Sequence, residues 1–306
     1  MKISIILPVY NEEENIQPIY ERVTAVLQKL TKAYEIIFVN DGSRDRTAEL
    51  LITLQKKDTY VRVLTFTRNF GHQAAVTAGL DHCTGDYVAI LDADLQDPPE
   101  VLPEFLKKLE DGYDVVYAIR TSRKENFFKR VAYSGFYRLL KAVSNIDIPL
   151  DSGDFCVMTR RVVLTMRKLP ERNRFVRGIR SWVGFKQTGL AYERAERHAG
   201  NSKYTFRKLL QLATDGILSF SYIPLRLMTF GGLFAFFMSI IGVFVALYLR
   251  LFTHTFVPGF ATTVVLLMFS GGLIMLGLGI IGEYIARIYD EVKQRPPYVL
   301  VDAKVD

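Results

Sequence analysis

The chain is poor in the residues that staple or ligate. Its 306 residues include two cysteines, Cys83 and Cys156, and one tryptophan, Trp182. Neither cysteine has neighbours at metal-ligand spacing, so the pair points to buried free thiols and not to a disulfide framework. Glycine is missing where a dinucleotide would need it. The first strand-to-helix turn reads Pro8-Val-Tyr-Asn-Glu-Glu-Glu14, with three acids and no glycine. That turn would repel a pyrophosphate, which argues against a hydride-transferring Rossmann enzyme. No signal peptide is expected, because Met1-Lys2 leads straight into a strand. Acids are scarce after residue 119. Residues 120–306 carry 27 Lys/Arg against 13 Asp/Glu, whereas residues 1–119 carry 12 against 19. This asymmetry implies two working surfaces of opposite sign. The long apolar segments of the basic part favour a membrane over nucleic acid as its partner.

What is present begins with a regular alternation. The stretches Ile3–Asn11, Glu35–Asp41, Val61–Phe66, Tyr87–Leu91 and Asp114–Ile119 read as strands. Helical segments separate them, to about Leu30, after Asp45, from His72 to Cys83 and from Pro98 to Glu110. Strands alternating with helices predict an α/β domain with a mostly parallel sheet. Ligands of such sheets sit beyond the carboxyl ends of the strands. The fourth run ends there in Asp92-Ala93-Asp94. Paired carboxylates at a strand end suit Mg²⁺, which shares one or two carboxylates with substrate phosphates. A solvated acidic turn gives the same local pattern. Asp97, Pro98 and Glu100 read as the N-cap, first position and capping box of the next helix.

Three motifs in order carry a resemblance. Leu7-Pro-Val-Tyr-Asn-Glu12, Val39-Asn-Asp-Gly-Ser43 and Leu91-Asp-Ala-Asp-Leu-Gln-Asp-Pro-Pro99 resemble the family-two glycosyltransferases of GT-A fold. Arg68-Asn-Phe-Gly-His-Gln-Ala-Ala75 and the later features are similar to the bacterial polyprenyl-phosphate glycosyltransferases, relatives of dolichyl-phosphate mannose synthase. The resemblance covers nearly the whole chain and implies roles. Pro8, Tyr10, Asn11 and Glu12 line a uridine pocket. Asp41 hydrogen-bonds the uracil edge. Asp92, with Ala93, approaches the ribose and the metal, and Asp94 ligates Mg²⁺ or Mn²⁺. Asn-Asp-Gly-Ser is also a good turn in its own right.

The acceptor side follows. Asp151-Ser-Gly-Asp154 leads into a strand, and the resemblance makes Asp154 the acid facing the acceptor. General base is the usual label. A phosphate monoester has a second pKa of about 6, so a lipid phosphate needs little deprotonation. Orienting the sugar, or stabilising charge at its anomeric carbon, is the competing role. Asn173–Trp182 resembles the family's segment closing that side, and Arg177 and Arg180 are phosphate candidates. Solvated surface arginines are the bland reading. Gly200-Asn-Ser-Lys-Tyr204 resembles a phosphate-holding loop, with Ser202, Lys203 and Tyr204 as candidates. The Gln-x-x-Arg-Trp motif of processive polysaccharide synthases is absent.

The remainder reads as membrane-associated. Residues 120–141 interleave seven Lys/Arg with aromatic and apolar residues. They suggest an interfacial amphipathic helix over about 125–145, or a core helix with a solvated face. Residues 206–225 read as a juxtamembrane helix. Leu227–Leu249 and Phe260–Gly282 are each long enough to cross a bilayer. Flanking Lys/Arg place the GT-A domain (1–205) and both termini, including the tail 289–306, in the cytoplasm of a multi-pass inner-membrane protein. Small residues such as Gly271 and Gly272 allow close packing within the hairpin or a homo-oligomer. The expected reaction is inverting, metal-dependent transfer of one sugar, glucose from UDP-glucose, to polyprenyl phosphate. The alternatives are a GDP-mannose or UDP-aminoarabinose donor, a polysaccharide synthase, or a non-enzymatic membrane scaffold.

Overall fold

The computed structural model describes residues 1–120, 152–172, 174–192, 223–248, 251–252 and 259–301. The expected basic helix at 125–145, the loop Ser202-Lys203-Tyr204 and most of the juxtamembrane segment lie outside the described residues.

β1 (Ile3–Val9), β2 (Tyr34–Asn40), β3 (Val61–Thr65) and β4 (Tyr87–Ile90) alternate with α1 (Ile16–Leu30), α2 (Thr47–Lys57) and α3 (His72–His82). Then come α4 (Leu102–Glu110), β5 (Val115–Arg120), β6 (Ser152–Thr159), α5 (Arg160–Arg167), α6 (Val176–Trp182) and β7 (Gln187–Tyr192). The strands form a seven-stranded sheet in the order β3-β2-β1-β4-β6-β5-β7. β6 runs antiparallel to both neighbours, and the other pairings are parallel. This is the mostly parallel GT-A sheet.

β1 shows why it forms. All seven residues are buried, as a strand covered on both faces requires. Ile3, Ile5, Leu7 and Val9 pack on one face with Ile16, Ile19, Val23 and Leu27 of α1. Those helix residues recur at 3- and 4-residue spacing, one stripe of an amphipathic helix. Ile6 points the other way, toward α3. Contact there is close: a Cβ on Gly79 would lie 2.3 Å from Ile6 Cγ2.

One local expectation fails. Asp97 does not cap a helix. Pro98 is extended, a 3₁₀ turn spans Pro99–Val101, and α4 starts at Leu102. Asp97 is buried and accepts a hydrogen bond from the Tyr192 hydroxyl. Glu100 pairs with Arg22 instead of closing a capping box. Pro99 biases the residue before it, Pro98, away from the helical region, so the helix starts later and the side chains find partners elsewhere.

The C-terminal part comprises α7 (Ile223–Tyr248) and α8 (Phe260–Lys293). Both are long and apolar enough to cross a membrane and carry many exposed large side chains, Phe234, Phe244, Met268 and Phe269 among them. The Met228 methyl lies against Gly277, where a Cβ would be 2.7 Å away. α8 does not stop at Gly282. It runs to Lys293, and its last three turns carry Glu283, Arg287, Asp290, Glu291 and Lys293. At about 1.5 Å per residue its 34 residues span about 51 Å, more than a bilayer core of about 30 Å. The charged turns therefore extend beyond any hydrocarbon layer. After them the chain returns to the sheet: Leu300 bridges Phe66 in antiparallel fashion, which docks this part of the tail on the sheet.

Candidate active site

β2, β1 and β4 are adjacent and parallel, so the residues leaving their carboxyl ends meet along one sheet edge. Tyr10, Asn11 and Glu12 leave β1, Asp41 leaves β2, and Asp92, Ala93 and Asp94 leave β4. Pro8 lies within β1, opposite Val39, and is buried. The first two turns are stitched together. The Asn11 amide donates to Ser43 Oγ (3.0 Å), and Asn11 Oδ1 accepts from the Arg44 amide (2.8 Å). The Glu12 amide donates to Thr47 Oγ1 (3.0 Å). Asn11 adopts a left-handed backbone, which asparagine tolerates. Gly42 is also left-handed, and a Cβ there would sit 2.5 Å from the Arg68 backbone. Only glycine allows the 68–71 loop to lie so close.

Asp41 receives that loop. Its carboxylate accepts from the Phe70 amide (2.6 Å), the Gly71 amide (3.0 Å to Oδ2) and Asn69 Nδ2 (2.9 Å). Burial still raises its pKa, outweighing those donors and the nearby His72. The residue expected at the uracil edge therefore also anchors the loop that delivers His72.

His72, at the start of α3, was given no role in the motif reading. The structure places it between two acids. Its Nε2 lies 3.3 Å from Asp154 Oδ2 and 3.9 Å from Asp92 Oδ1. Sheet register brings those acids together. Ile90 of β4 pairs with Cys156 of β6, and two further residues along that register Asp92 faces Asp154. Asp154 is also gripped by Arg177 of α6, Nε to Oδ1 at 2.6 Å and Nη2 to Oδ2 at 2.8 Å.

The charges follow from these contacts. Burial opposes ionisation of Asp154, but Arg177 and His72 hold it well below the carboxylate range. The protein around His72, which is still 40% exposed, opposes its charging by partial desolvation, yet the Asp154 hydrogen bond and the charges of Asp92 and Asp154 raise it to about 9. Asp92 moves up: burial dominates, His72 opposes it, and Asp154, Asp97 and Asp94 add like charge. The arrangement is an anion locked between two cations, beside a carboxylate with surplus negative surroundings.

The phosphate candidates divide. Arg177 reaches the site, but through Asp154. Arg180 is 1% exposed, its guanidinium 5.3 Å from the Tyr117 ring centroid. Its helix face turns it inward, so it is not the solvated surface arginine of the bland reading. Ser202, Lys203 and Tyr204 lie outside the described residues.

Among the described residues no three His, Cys, Asp or Glu side chains are grouped to hold a metal ion. What the edge offers is a pair of hard carboxylates, Asp92 and Asp94. Asp94 Oδ1 accepts from the Gln96 amide (3.2 Å), and Leu95 between them is left-handed, fixing a tight turn. One or two carboxylates with excess negative charge nearby fit Mg²⁺ or Mn²⁺ shared with substrate phosphates, not a closed protein cage.

Comparison with known proteins is consistent with this edge. The family model described as glycosyl transferase family 2 matches residues 4–166. An uncharacterised glycosyltransferase of Bacillus subtilis (strain 168), YkcC, is 48% identical over 301 residues, covering 98% of this chain and 93% of that protein. The prophage bactoprenol glucosyl transferase homolog of Escherichia coli (strain K12) is 43% identical, covering 99% of this chain and all of that protein. The bactoprenol glucosyl transferase of Shigella phage SfII is 44% identical, covering 98% of this chain and 97% of its own.

Proposed function

The chain belongs to glycosyl transferase family 2, and from that premise we propose that it moves one glucose from UDP-glucose to polyprenyl phosphate at a membrane surface. The observation that carries the acceptor is the full-length match to bactoprenol glucosyl transferases, which runs on through both apolar helices. A soluble donor and an acceptor with its phosphate at the bilayer interface suit a GT-A domain held by a helical hairpin. In this reading α7 and α8 supply the two spans, and the GT-A domain and both termini lie on the cytoplasmic side of the inner membrane.

The geometry supports a division of labour. Tyr10, Asn11, Glu12 and Asp41 bind the nucleoside. Asp92 and Asp94 hold the cation, which supplies charge neutralisation for the departing diphosphate. An oxygen of the lipid phosphate forms a bond to the anomeric carbon as the bond from that carbon to the UDP oxygen breaks. UDP leaves with the electron pair, and the configuration inverts. The phosphate monoester is largely dianionic at neutral pH. Asp154, locked as an anion by Arg177 and His72, is a poor proton acceptor. Its role is to orient the sugar and stabilise positive charge at the anomeric carbon.

The test uses membranes containing the protein, labelled UDP-glucose, polyprenyl phosphate and Mg²⁺. Label in the chloroform phase, as a β-linked lipid-phosphate glucose, is the expected result. Label in a polymer, or transfer from GDP-mannose or a UDP-aminoarabinose derivative in place of UDP-glucose, overturns it.

A further inference from the structure

The two cations that clamp Asp154 sit on segments gripped by one piece of chain, the exit of α8. The first grip is at Glu291. Its carboxylate accepts from the Arg172 amide, at 2.8 and 3.1 Å. Arg172 precedes α6, which carries Arg177. The second grip follows the left-handed turn at Gln294. The Thr67 amide donates to Val299 O (3.0 Å), and the Val301 amide donates to Thr65 O (2.8 Å). This short segment pairs with the end of β3, the edge strand of the sheet. The Tyr298 ring stacks on Phe66 at 5.2 Å, and Phe66 meets Phe70 edge-on at 5.6 Å. Tyr298 also donates its hydroxyl to Asp81 of α3 (3.1 Å). Phe70 and Gly71 then hold Asp41, and His72 follows directly. Gln73 joins the two arms, its Oε1 accepting from the Val176 amide at the start of α6 (2.9 Å).

We propose that Glu291 and Tyr298 are positioning residues through which the end of the membrane helix sets the His72–Asp154–Arg177 clamp. The catalytic edge is then fully assembled only when the domain is seated against its own second span. This rests on the reading of Asp154 as part of the transfer site. The coupling is mechanical: α8 is continuous from its apolar turns to Glu291, which holds the first arm, and the turn at Gln294 leads within four residues to Tyr298, which holds the second.

The experiment uses the full chain in nanodiscs, as wild type, Tyr298→Phe, and the pair Glu291→Gln with Tyr298→Ala. Amide exchange and turnover are measured on the same samples. In the paired variant, exchange at Val301, Phe70, Gly71 and Val176 should rise at least about tenfold, while buried amides of β1 and β2 stay protected. Turnover per folded molecule should fall about tenfold, as displaced catalytic groups predict. Tyr298→Phe keeps the stack and should remain within about twofold of wild type. A uniform rise in exchange across the sheet would mark a merely structural role and overturn the proposal. So would loss of protection at Val301 with Phe70, Gly71 and Val176 unchanged, or full turnover with the segment undocked. A wild type that transfers no glucose overturns the functional reading instead, and the exchange pattern then decides the coupling alone.

Discussion

The two ends of the central sheet each hold a carboxylate, one buried and one half-buried, and they treat it in opposite ways. At the end where β1 and β2 begin, Glu35 is 4% exposed and richly partnered. It accepts from Ser4 Oγ (2.5 Å), the Thr84 amide (2.6 Å), Thr84 Oγ1 (2.9 Å) and Arg62 Nη1 (3.0 Å). Burial alone would raise its pKa, but the hydrogen bonds prevail and lower it to about 2. At the other end, burial and three neighbouring acids leave Asp92 raised, with His72 opposing them only in part. A stability site satisfies its charge internally. A working site leaves charge for a ligand to complete, and such local inconsistency is where function is sought.

The comparison breaks hardest at Asp154. Asp154→Asn keeps the shape but leaves Arg177 and His72 facing a neutral amide. Turnover should fall about 10³-fold, the scale of losing an electrostatic stabiliser in a closed site. Measured against a His72→Gln parent, which lacks the imidazole that Asp154 keeps charged, the loss should be equal from pH 6 to pH 9. If activity instead climbs back with rising pH, Asp154 is a proton acceptor and the charge-stabilising role is wrong. Asp94→Ala comes next. It should cost about 10²-fold and flatten the response to added Mg²⁺ or Mn²⁺. Chelation of the wild type should abolish transfer and re-addition restore it. A variant that keeps its metal response would take Asp94 out of the cation site.

Much of this edge was legible in the sequence, because its logic is local. The apolar runs marked the strands, and Asp41, Asp92 and Asp94 follow strand ends whatever the tertiary detail. The unread parts depend on partners distant along the chain. His72 has meaning only once β6 pairs antiparallel with β4 and carries Asp154 to its ring. Arg177 and Arg180 look equivalent in sequence, but three positions on a short helix send one to Asp154 and the other under Tyr117. The end of α8 was missed because charged residues after Gly282 suit a helix leaving a membrane as well as a helix that has stopped. The capping box failed because buried Asp97 had Tyr192 available across the fold.

Glu35 supplies the smaller tests, in stability and not in turnover. A shift from 4.5 to about 2 is worth about 3 kcal/mol. The folded value is the lower one, so this stabilisation is complete above pH 4.5 and is lost as pH falls toward 2. Glu35→Gln should therefore lower the melting temperature at pH 7, with the gap to wild type closing as the medium is acidified below pH 4.5. Turnover per folded molecule should stay within about twofold, since the site lies at the other end of the sheet. Arg62→Met should do least. Arg62 is 41% exposed, and solvent screens its pair with Glu35 to about 1 kcal/mol or less. The Ser4 and Thr84 donors remain, so the acid-induced loss should still begin near pH 4.5 but be slightly smaller and finish at slightly higher pH. If Arg62→Met matched Glu35→Gln in full, the ion pair and not the hydrogen-bond cage would hold this carboxylate. The contrast between a self-satisfied acid and a waiting one would then rest on charge alone.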